Sequence, residues 1–170
     1  MDYSGANDDA SGLAVMLETV RLWQETGYQP QRSILFAAWG AQEAGEVGSN
    51  FYVANPAVPL TQTVGILQLD AVGGGGGYYL SAQGFWETEG MFLYGMKAAE
   101  DLVDGRLKTT TSTGISDQLP FRTAGAPGML ATWTDANETN WPDSIADEVE
   151  PNRLGVTGRM VVLTMMSVAR

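Results

Sequence analysis

The sequence predicts a single three-layer α/β domain over residues 1–170, in which a mainly parallel sheet carries helices on both faces. Three observations lead to this prediction. The chain has 170 residues, which is enough for one ordinary domain and too few for two. Short apolar segments alternate with segments whose apolar residues recur at helical spacing, an order typical of parallel sheets. No repeat of about 20–50 residues interrupts that order.

Five segments carry helical signals. The first helix follows a polar start and ends before Gly27 and Pro30, which are stop signals. The last helix starts at Pro151, because proline is favoured in the first helical turn. The predicted helices are Leu13–Trp23, Gly45–Ala54, Met91–Ala98, Pro120–Ala124 and Pro151–Ala169.

Five segments read as strands. Ser33–Trp39 is nearly all apolar, which suits a strand buried on both faces. Val64–Asp70 has the same character, and the glycines Gly73–Gly77 break it. The remaining predicted strands are Tyr78–Ser81, Arg106–Thr111 and Met129–Trp133.

Composition excludes several classes of function. The formal net charge of −11 repels nucleic acid and anionic lipid surfaces, so neither is expected as a partner. No apolar run reaches the roughly 20 residues that a membrane-spanning helix needs, so membrane insertion is not expected. The chain has no cysteine and no histidine, which excludes a disulfide, a thiolate nucleophile and an imidazole base or ligand. The compartment stays open, and the acidic, cysteine-free composition is compatible with secretion or a periplasmic location.

Polar side chains follow the predicted strands or precede the first helix. They are Asp8, Asp9, Gln42, Glu43, Asp70, Asp117 and Gln118. The carboxyl ends of parallel strands meet at one edge of a sheet, so these groups are expected to gather there. Like charges in one place cost free energy unless a cation or a shared proton offsets it.

Each residue also has an ordinary structural interpretation. Asp8 or Asp9 could cap the first helix, and Asp70 could simply form a turn. Glu43 could favour a helix start, and Asp117 could cap the short helix near Pro120. Taken singly, none of these residues indicates a function.

Four motifs in order resemble the co-catalytic zinc aminopeptidase family (peptidase family M28), which includes glutamate carboxypeptidase and the transferrin-receptor ectodomain. The motifs are GANDDASG at Gly5–Gly12, AWGAQEAGEVGS at Ala38–Ser49, LQLDAVG at Leu67–Gly73 and SDQLPF at Ser116–Phe121. The segment Pro142–Val149 also resembles the closing part of that family. The resemblance implies a zinc-exopeptidase-like fold with a mixed sheet. It also implies that the chain corresponds to the C-terminal two-thirds of the family domain, without its first strands.

The same resemblance implies a two-zinc site. Asp8 then takes the position of the bridging carboxylate, and Glu43 and Asp70 take the positions of further ligands. Gln42 stands at the position of the general base. Gln118 stands at the position of a histidine ligand, and a second histidine ligand would lie upstream of Asp8. Substrate-binding residues are not identified.

These departures indicate impaired hydrolysis. A glutamine amide cannot accept a proton near neutral pH, and general-base catalysis contributes about 10²–10⁴-fold. Oxygen ligands alone suit Ca²⁺ or Mg²⁺ better than zinc, so this chain holds no metal or binds Zn²⁺, Ca²⁺ or Mg²⁺ weakly. Gln42 alone could be an engineered change. A second replacement at Gln118, in a chain without histidine, favours natural loss.

Three functions stay open. The first is a binding or structural module of the aminopeptidase type, with a peptide or amino-acid-like ligand. The second is an active metal-dependent aminopeptidase that is completed by a further N-terminal segment or a partner chain. The third is a structural carboxylate site for Ca²⁺ or Mg²⁺. Missing early strands would expose a sheet edge and apolar surface, so self-association or pairing with the missing segment is also expected.

Overall fold

The computed structural model describes residues 5–74, 78–111, 114–134 and 149–170. The helices are α1 (Ala10–Thr26), α2 (Val47–Ala54), α3 (Trp86–Val103), α4 (Gln118–Thr123) and α5 (Pro151–Val168). The strands are β1 (Ile66–Leu69), β2 (Tyr79–Gln83), β3 (Leu107–Thr110) and β4 (Gly128–Thr134). Two short 3₁₀ turns lie at Gln42–Ala44 and Leu60–Gln62. All five predicted helices and four of the five predicted strands are therefore confirmed, with bounds shifted by a few residues.

The four strands form one mixed sheet in the order β1-β4-β2-β3. β1 pairs with β4 in parallel, and β2 pairs with β3 in parallel. β2 and β4 pair antiparallel, with Ala82 opposite Ala131. Two of the three pairings are parallel, which confirms the mainly parallel mixed sheet.

The alternation of side chains along β4 shows that helices cover both faces of the sheet. Met129, Ala131 and Trp133 belong to the main apolar core, and the indole Nε1 of Trp133 donates to Thr157 of α5 at 2.9 Å. On the other face, a Cβ on Gly128 would lie 3.1 Å from the side chain of Arg122 and the backbone of α4. The three-layer arrangement is therefore confirmed.

The main core lies between the sheet and the pair of helices α3 and α5. Phe92, Leu93 and Met96 of α3 are at most 1% exposed, and Met160 of α5 is fully buried. These side chains bury the apolar stripe that the sequence predicts for each helix.

The segment Ser33–Trp39 is not a strand, so the prediction of a fifth strand is wrong. Leu35 is 61% exposed and Phe36 is 38% exposed, whereas a strand inside the sheet would bury both. The physical reason is the lack of a neighbour: no strand among the described residues pairs with this segment, and β1 has a strand on one side only. An apolar run becomes a buried strand only when backbone partners and a covering layer are present.

Apolar side chains are also exposed on α1, which precedes this segment, and on α2, which follows it. Leu17 of α1 is 57% exposed and Phe51 of α2 is 69% exposed. Such surface is the basis for expecting association, which stays a prediction.

In the part of the chain that the structure describes, no helix is both long enough and apolar enough to cross a bilayer.

We expect Gly95→Ala to destabilise the fold by about 1–3 kcal/mol, because it would overpack the contact between α3 and α5. A Cβ at Gly95 would lie 2.8 Å from Cγ2 of Thr164 and 3.2 Å from its Cα. The measurement is the free energy of unfolding from urea titration.

The matched control is Gly158→Ala in α5. No atom lies within 4 Å of the position that its Cβ would take. Alanine should therefore stabilise the helix by about 0.5–1 kcal/mol, since glycine is a poor helix former. Equal effects of the two substitutions would contradict the close approach of α3 and α5.

Candidate functional site

A cavity of about 340 Å³ lies beside the carboxyl end of β1. It is lined by Asp8, Gln42, Glu43, Gly45, Glu46, Asp70, Ala71 and Ile115. Four of the five predicted site residues, Asp8, Gln42, Glu43 and Asp70, thus lie around one space. Their assigned roles stay predictions, but their convergence at one edge of the sheet is observed.

Four connections place the side chains that line the cavity. Asp70 directly follows β1, and Asp8 precedes α1. Gln42 and Glu43 lie in the 3₁₀ turn before α2, and Ile115 lies in the loop that leads into α4. The site is therefore built from loops at the end of a parallel strand, the usual position of ligand sites in such sheets.

The turn that carries Gln42 and Glu43 has a strained backbone. Ala41 and Glu46, on either side of it, have φ of 58° and 48°, in the left-handed region that costs a non-glycine residue about 1–2 kcal/mol. The turn is closed by a hydrogen bond from the N–H of Gly48 to the carbonyl of Gly40 at 3.0 Å. A Cβ on Gly48 would approach that backbone to 2.8 Å, so only glycine fits. The surrounding contacts thus hold the turn in one conformation.

Asp70 is the centre of the acidic cluster. The Ser116 hydroxyl donates to its Oδ2 at 2.6 Å, and its carboxyl group is also hydrogen-bonded to that of Asp8. Burial raises the pKa of Asp70, and the charges of Asp117 and Glu43 add to the effect, while the two hydrogen bonds oppose it. A hydrogen bond between two carboxyl groups needs one proton. These carboxyl groups therefore favour the uptake of a proton or of a cation.

Asp9 lies behind the cavity, at the start of α1. Much of the residue is exposed, but a Cβ on Gly12 would lie 2.6 and 2.7 Å from its two carboxylate oxygens, so the carboxylate is enclosed against the first turn. It accepts a hydrogen bond from the N–H of Gly12 at 3.1 Å, which confirms a capping role. Burial, helped by the charge of Asp70, raises the pKa of Asp9 to about 8.

A second carboxylate outside the cavity joins two helices. The Ser49 hydroxyl of α2 donates to Oδ1 of Asp117, the residue before α4, and both residues are buried. Burial raises the pKa of Asp117, and the bond from Ser49 partly opposes that change. The pair fixes the loop of Glu46 relative to the loop of Ile115.

Gln118 does not line the cavity. It is 1% exposed, and its Nε2 donates to the carbonyl of Gly114 at 2.8 Å. Its Oε1 is buried without a hydrogen-bond partner. The assignment of Gln118 to a metal-ligand position stays a prediction, while its observed contact is with the loop backbone.

The residues present do not fit a two-zinc site. The chain has no histidine or cysteine, so its possible ligands are oxygen atoms. Among residues 5–74, 78–111, 114–134 and 149–170, no three acidic side chains are arranged to hold a metal ion. An oxygen-only set suits Ca²⁺ or Mg²⁺, which take six or more oxygens.

Sequence reasoning did not single out Glu46, Ile115 or Ser116. Glu46 and Ser116 lie inside quoted motifs, but glutamate and serine are common surface residues, so composition gives no signal for them. Ile115 adjoins the last motif, and an isoleucine next to a polar loop suggests packing rather than exposure at a cavity. The segment Pro142–Val149, apart from Val149, lies outside the described residues.

We expect the metal-free protein to lose stability as pH rises between about 4 and 8. The raised pKa of Asp9, Asp70 and Asp117 means that the folded state binds protons that the unfolded state has released in this range. The free energy of unfolding therefore falls until the pH passes the folded-state pKa of Asp9. Urea unfolding in the presence of a chelator, at pH 5 and pH 8, measures the slope.

Asp9→Asn should make that slope shallower, because asparagine can still cap the helix but has no proton to lose. Asp101→Asn, an exposed change on α3, makes the same aspartate-to-asparagine replacement away from the cavity and serves as the control. The same slope in both variants would show that general charge repulsion, and not the enclosed carboxylate, causes the pH dependence.

The comparisons with known proteins agree with this architecture. The chain is 33% identical over 141 residues to leupeptin-inactivating enzyme 1 from Streptomyces exfoliatus, covering 80% of this chain and 31% of that protein. It is 30% identical over 152 residues to aminopeptidase YwaD from Bacillus subtilis strain 168, covering 86% of this chain and 31% of that protein. The chain thus spans about a third of the length of these curated relatives.

The solved structure of BSAP, a zinc aminopeptidase from Bacillus subtilis, has the same fold. The TM-score is 0.84 at 25% identity, and the match covers 98% of this chain and 43% of that one. The zinc-exopeptidase-like fold is therefore confirmed. The sequence profile described as Peptidase family M28 matches residues 1–165. A match over nearly the whole chain, together with the same fold, shows that this chain belongs to peptidase family M28.

Proposed function

We propose that this aminopeptidase-like domain binds the amino-terminal ammonium group of a peptide or amino-acid derivative in the carboxylate cavity, and that it hydrolyses peptide bonds very slowly or not at all. The observation that supports the proposal is the amide of Gln42 in the cavity wall, next to Glu43, in a chain without histidine.

Gln42 explains the loss of hydrolysis. A general base must hold a lone pair that accepts a proton from the attacking water near neutral pH. A carboxylate at this position could do so, whereas the amide of glutamine cannot. Loss of such a base lowers rates by about 10²–10⁴-fold. The poor fit of the donor set to zinc lowers the expected rate further.

The carboxylates explain the binding. Asp8, Glu43, Glu46 and Asp70 surround one cavity, and burial together with neighbouring charges raises the pKa of Asp70. An ammonium group carries three N–H donors and a positive charge, so it can offset the negative charge and satisfy several carboxylate oxygens at once. Hydrogen bonds to charged groups each contribute about 1.5–3 kcal/mol.

The second candidate function is an active metal-dependent aminopeptidase. Family membership favours it, and the relatives are named as aminopeptidases or as a leupeptin-inactivating enzyme. Because the chain spans about a third of those proteins, further residues of a longer protein or a partner chain would have to supply a base and nitrogen ligands.

A third candidate, a structural Ca²⁺ or Mg²⁺ site, rests on the same oxygen-rich lining. Calorimetric titration with each cation tests it directly. Heat of binding together with a raised melting temperature would favour it over ammonium recognition.

A hydrolysis assay tests the catalytic part of the proposal. With leucine p-nitroanilide and added Zn²⁺, we expect no turnover by the unmodified chain above the rate of a buffer blank. Gln42→Glu restores a carboxylate beside Glu43 and should raise any residual rate by up to about 10²-fold, since it restores the base but not the missing ligands.

Gln42→Asn is the control, because it keeps an amide at this position. Turnover at ordinary enzymatic rates by the unmodified chain, from protein shown to be free of contaminating peptidase, would exclude the proposed loss of hydrolysis.

A binding assay tests ammonium recognition. Leucinamide should bind at least about tenfold more tightly than N-acetyl-leucinamide, which has the same side chain but no ammonium group. Glu43→Gln should weaken leucinamide binding severalfold, and Glu87→Gln, an exposed change on α3, should not. Equal affinity for the two amides in isothermal titration calorimetry would contradict the proposed recognition.

A further inference from the structure

We infer that Ile115 is the specificity-determining residue of the cavity, and that Gln83 and Gln118 are positioning residues that hold it at the cavity mouth. Ile115 would contact an apolar group attached next to the ammonium group of the ligand. The inference rests on the proposed function, since it describes the second contact of the same ligand.

The exposure of Ile115 is the first observation. Its side chain is 73% exposed, yet it lines a cavity in which nearly all other side chains are polar. Exposing a large branched apolar side chain to water brings no folding stability. Single exposed apolar residues are common on protein surfaces, so exposure alone does not assign a role to Ile115.

The loop around Ile115, in contrast, is fixed on both sides. On one side, Gly114 donates its N–H to Oε1 of Gln83 at 2.7 Å and accepts from Nε2 of Gln118 at 2.8 Å. On the other side, the Ser116 hydroxyl donates to Asp70 at 2.6 Å. Three hydrogen bonds thus hold the two neighbours of a side chain that itself packs against little.

The two glutamines that hold Gly114 are buried at a cost. Gln83 is 7% exposed and Gln118 is 1% exposed. The Oε1 of Gln118 has no hydrogen-bond partner, and leaving a buried polar atom unpaired lowers the stability of the fold. An apolar side chain would avoid that cost but could not donate to the carbonyl of Gly114. The hydrogen bond to the loop therefore explains why a glutamine amide occupies this buried position.

Gly114 itself fits this arrangement closely. A Cβ at this position would lie 3.0 Å from Cδ2 of Leu130 and 3.2 Å from Oε1 of Gln83. The backbone of the loop therefore rests directly on β4 and on the side chain from β2. This contact with the sheet restricts the position of the loop, and therefore the position of Ile115 beside the cavity.

The ligand that matches this layout has a cationic end and an adjacent apolar group. The carboxylates receive the ammonium group, and the Ile115 side chain covers part of the apolar group. Burial of an aliphatic side chain contributes about 25 cal/mol for each Å² of apolar surface. Contact on one side of a leucine side chain should thus favour leucinamide over glycinamide by about 5–10-fold in affinity.

The experiment compares leucinamide and glycinamide by isothermal titration calorimetry on the full chain. We expect the affinity ratio of about 5–10 in the unmodified chain to fall to within about twofold in Ile115→Ser. Leu102→Ser is the matched control, since Leu102 of α3 is 74% exposed and does not line the cavity. The control should keep the original ratio.

The positioning role is tested with Gln118→Ala. Without the bond to Gly114 the loop is less restricted, so the ratio should fall although Ile115 is intact. Phe92→Leu, a change in the main core, lowers stability without touching the loop and should leave the ratio unchanged. If Phe92→Leu lowers the affinity ratio as much as Gln118→Ala does at a similar loss of stability, the role of Gln118 is only structural. That part of the inference would then be wrong.

The outcomes separate the two proposals. Binding of both amides with equal affinity by the unmodified chain would overturn the role of Ile115 and leave ammonium recognition in place. Failure of both amides to bind would overturn the proposed function and this inference together. A ratio of about 5–10 that Ile115→Ser abolishes and Leu102→Ser keeps would support the inference.

Discussion

The crowding of negative charge at the carboxyl end of β1 is the constraint on which the site depends. Asp70 is hydrogen-bonded to Asp8, and the negative charges of Asp117 and Glu43 raise its pKa. Carboxylates so close together are stable only when a proton or a cation neutralises part of their charge. The hydroxyl of Ser116 also donates to Asp70 at 2.6 Å and holds its carboxyl group at this edge of the sheet.

The backbone around the cavity is also held under strain. Ala41, Glu46 and Ala71 have positive φ values of 58°, 48° and 51°, which side chains other than glycine adopt at a cost. All three lie in or next to the cavity wall. Strain of this kind persists only where surrounding contacts fix the conformation, and it is frequent at functional sites. The buried bond between Ser49 and Asp117 is one such contact, since it ties α2 to the start of α4.

The sequence predicted the elements whose signals are local. β1, β4, α3 and α5 follow from apolar runs and helical spacing. β4 is buried along its whole length as predicted, whereas β1 is only half-buried. Ser33–Trp39 has the same local signal as β1 but forms no strand, because pairing depends on a neighbour that local sequence cannot supply. The convergence of Asp8, Gln42, Glu43 and Asp70 was predictable from strand ends and motif order. The loop contacts of Gln118 and the exposure of Ile115 could not be predicted from the sequence, because both depend on how β2 and β4 approach the loop.

The candidate functions of the site differ in which cation neutralises its carboxylates: zinc, Ca²⁺ or Mg²⁺, or an ammonium group. Zinc sites in proteins usually include the histidine or cysteine ligands that this chain does not have, and Ca²⁺ or Mg²⁺ takes six or more oxygens in one shell. No three acidic side chains in the described part of the chain are placed for such a shell. An ammonium group can be bound by fewer oxygens than a metal ion. Each of its three N–H bonds needs one acceptor oxygen, and the group imposes no fixed coordination geometry. In the proposed complex, the apolar carbon atoms beside the ammonium group would contact Ile115 at the cavity mouth, a contact that neither a proton nor a metal ion would make.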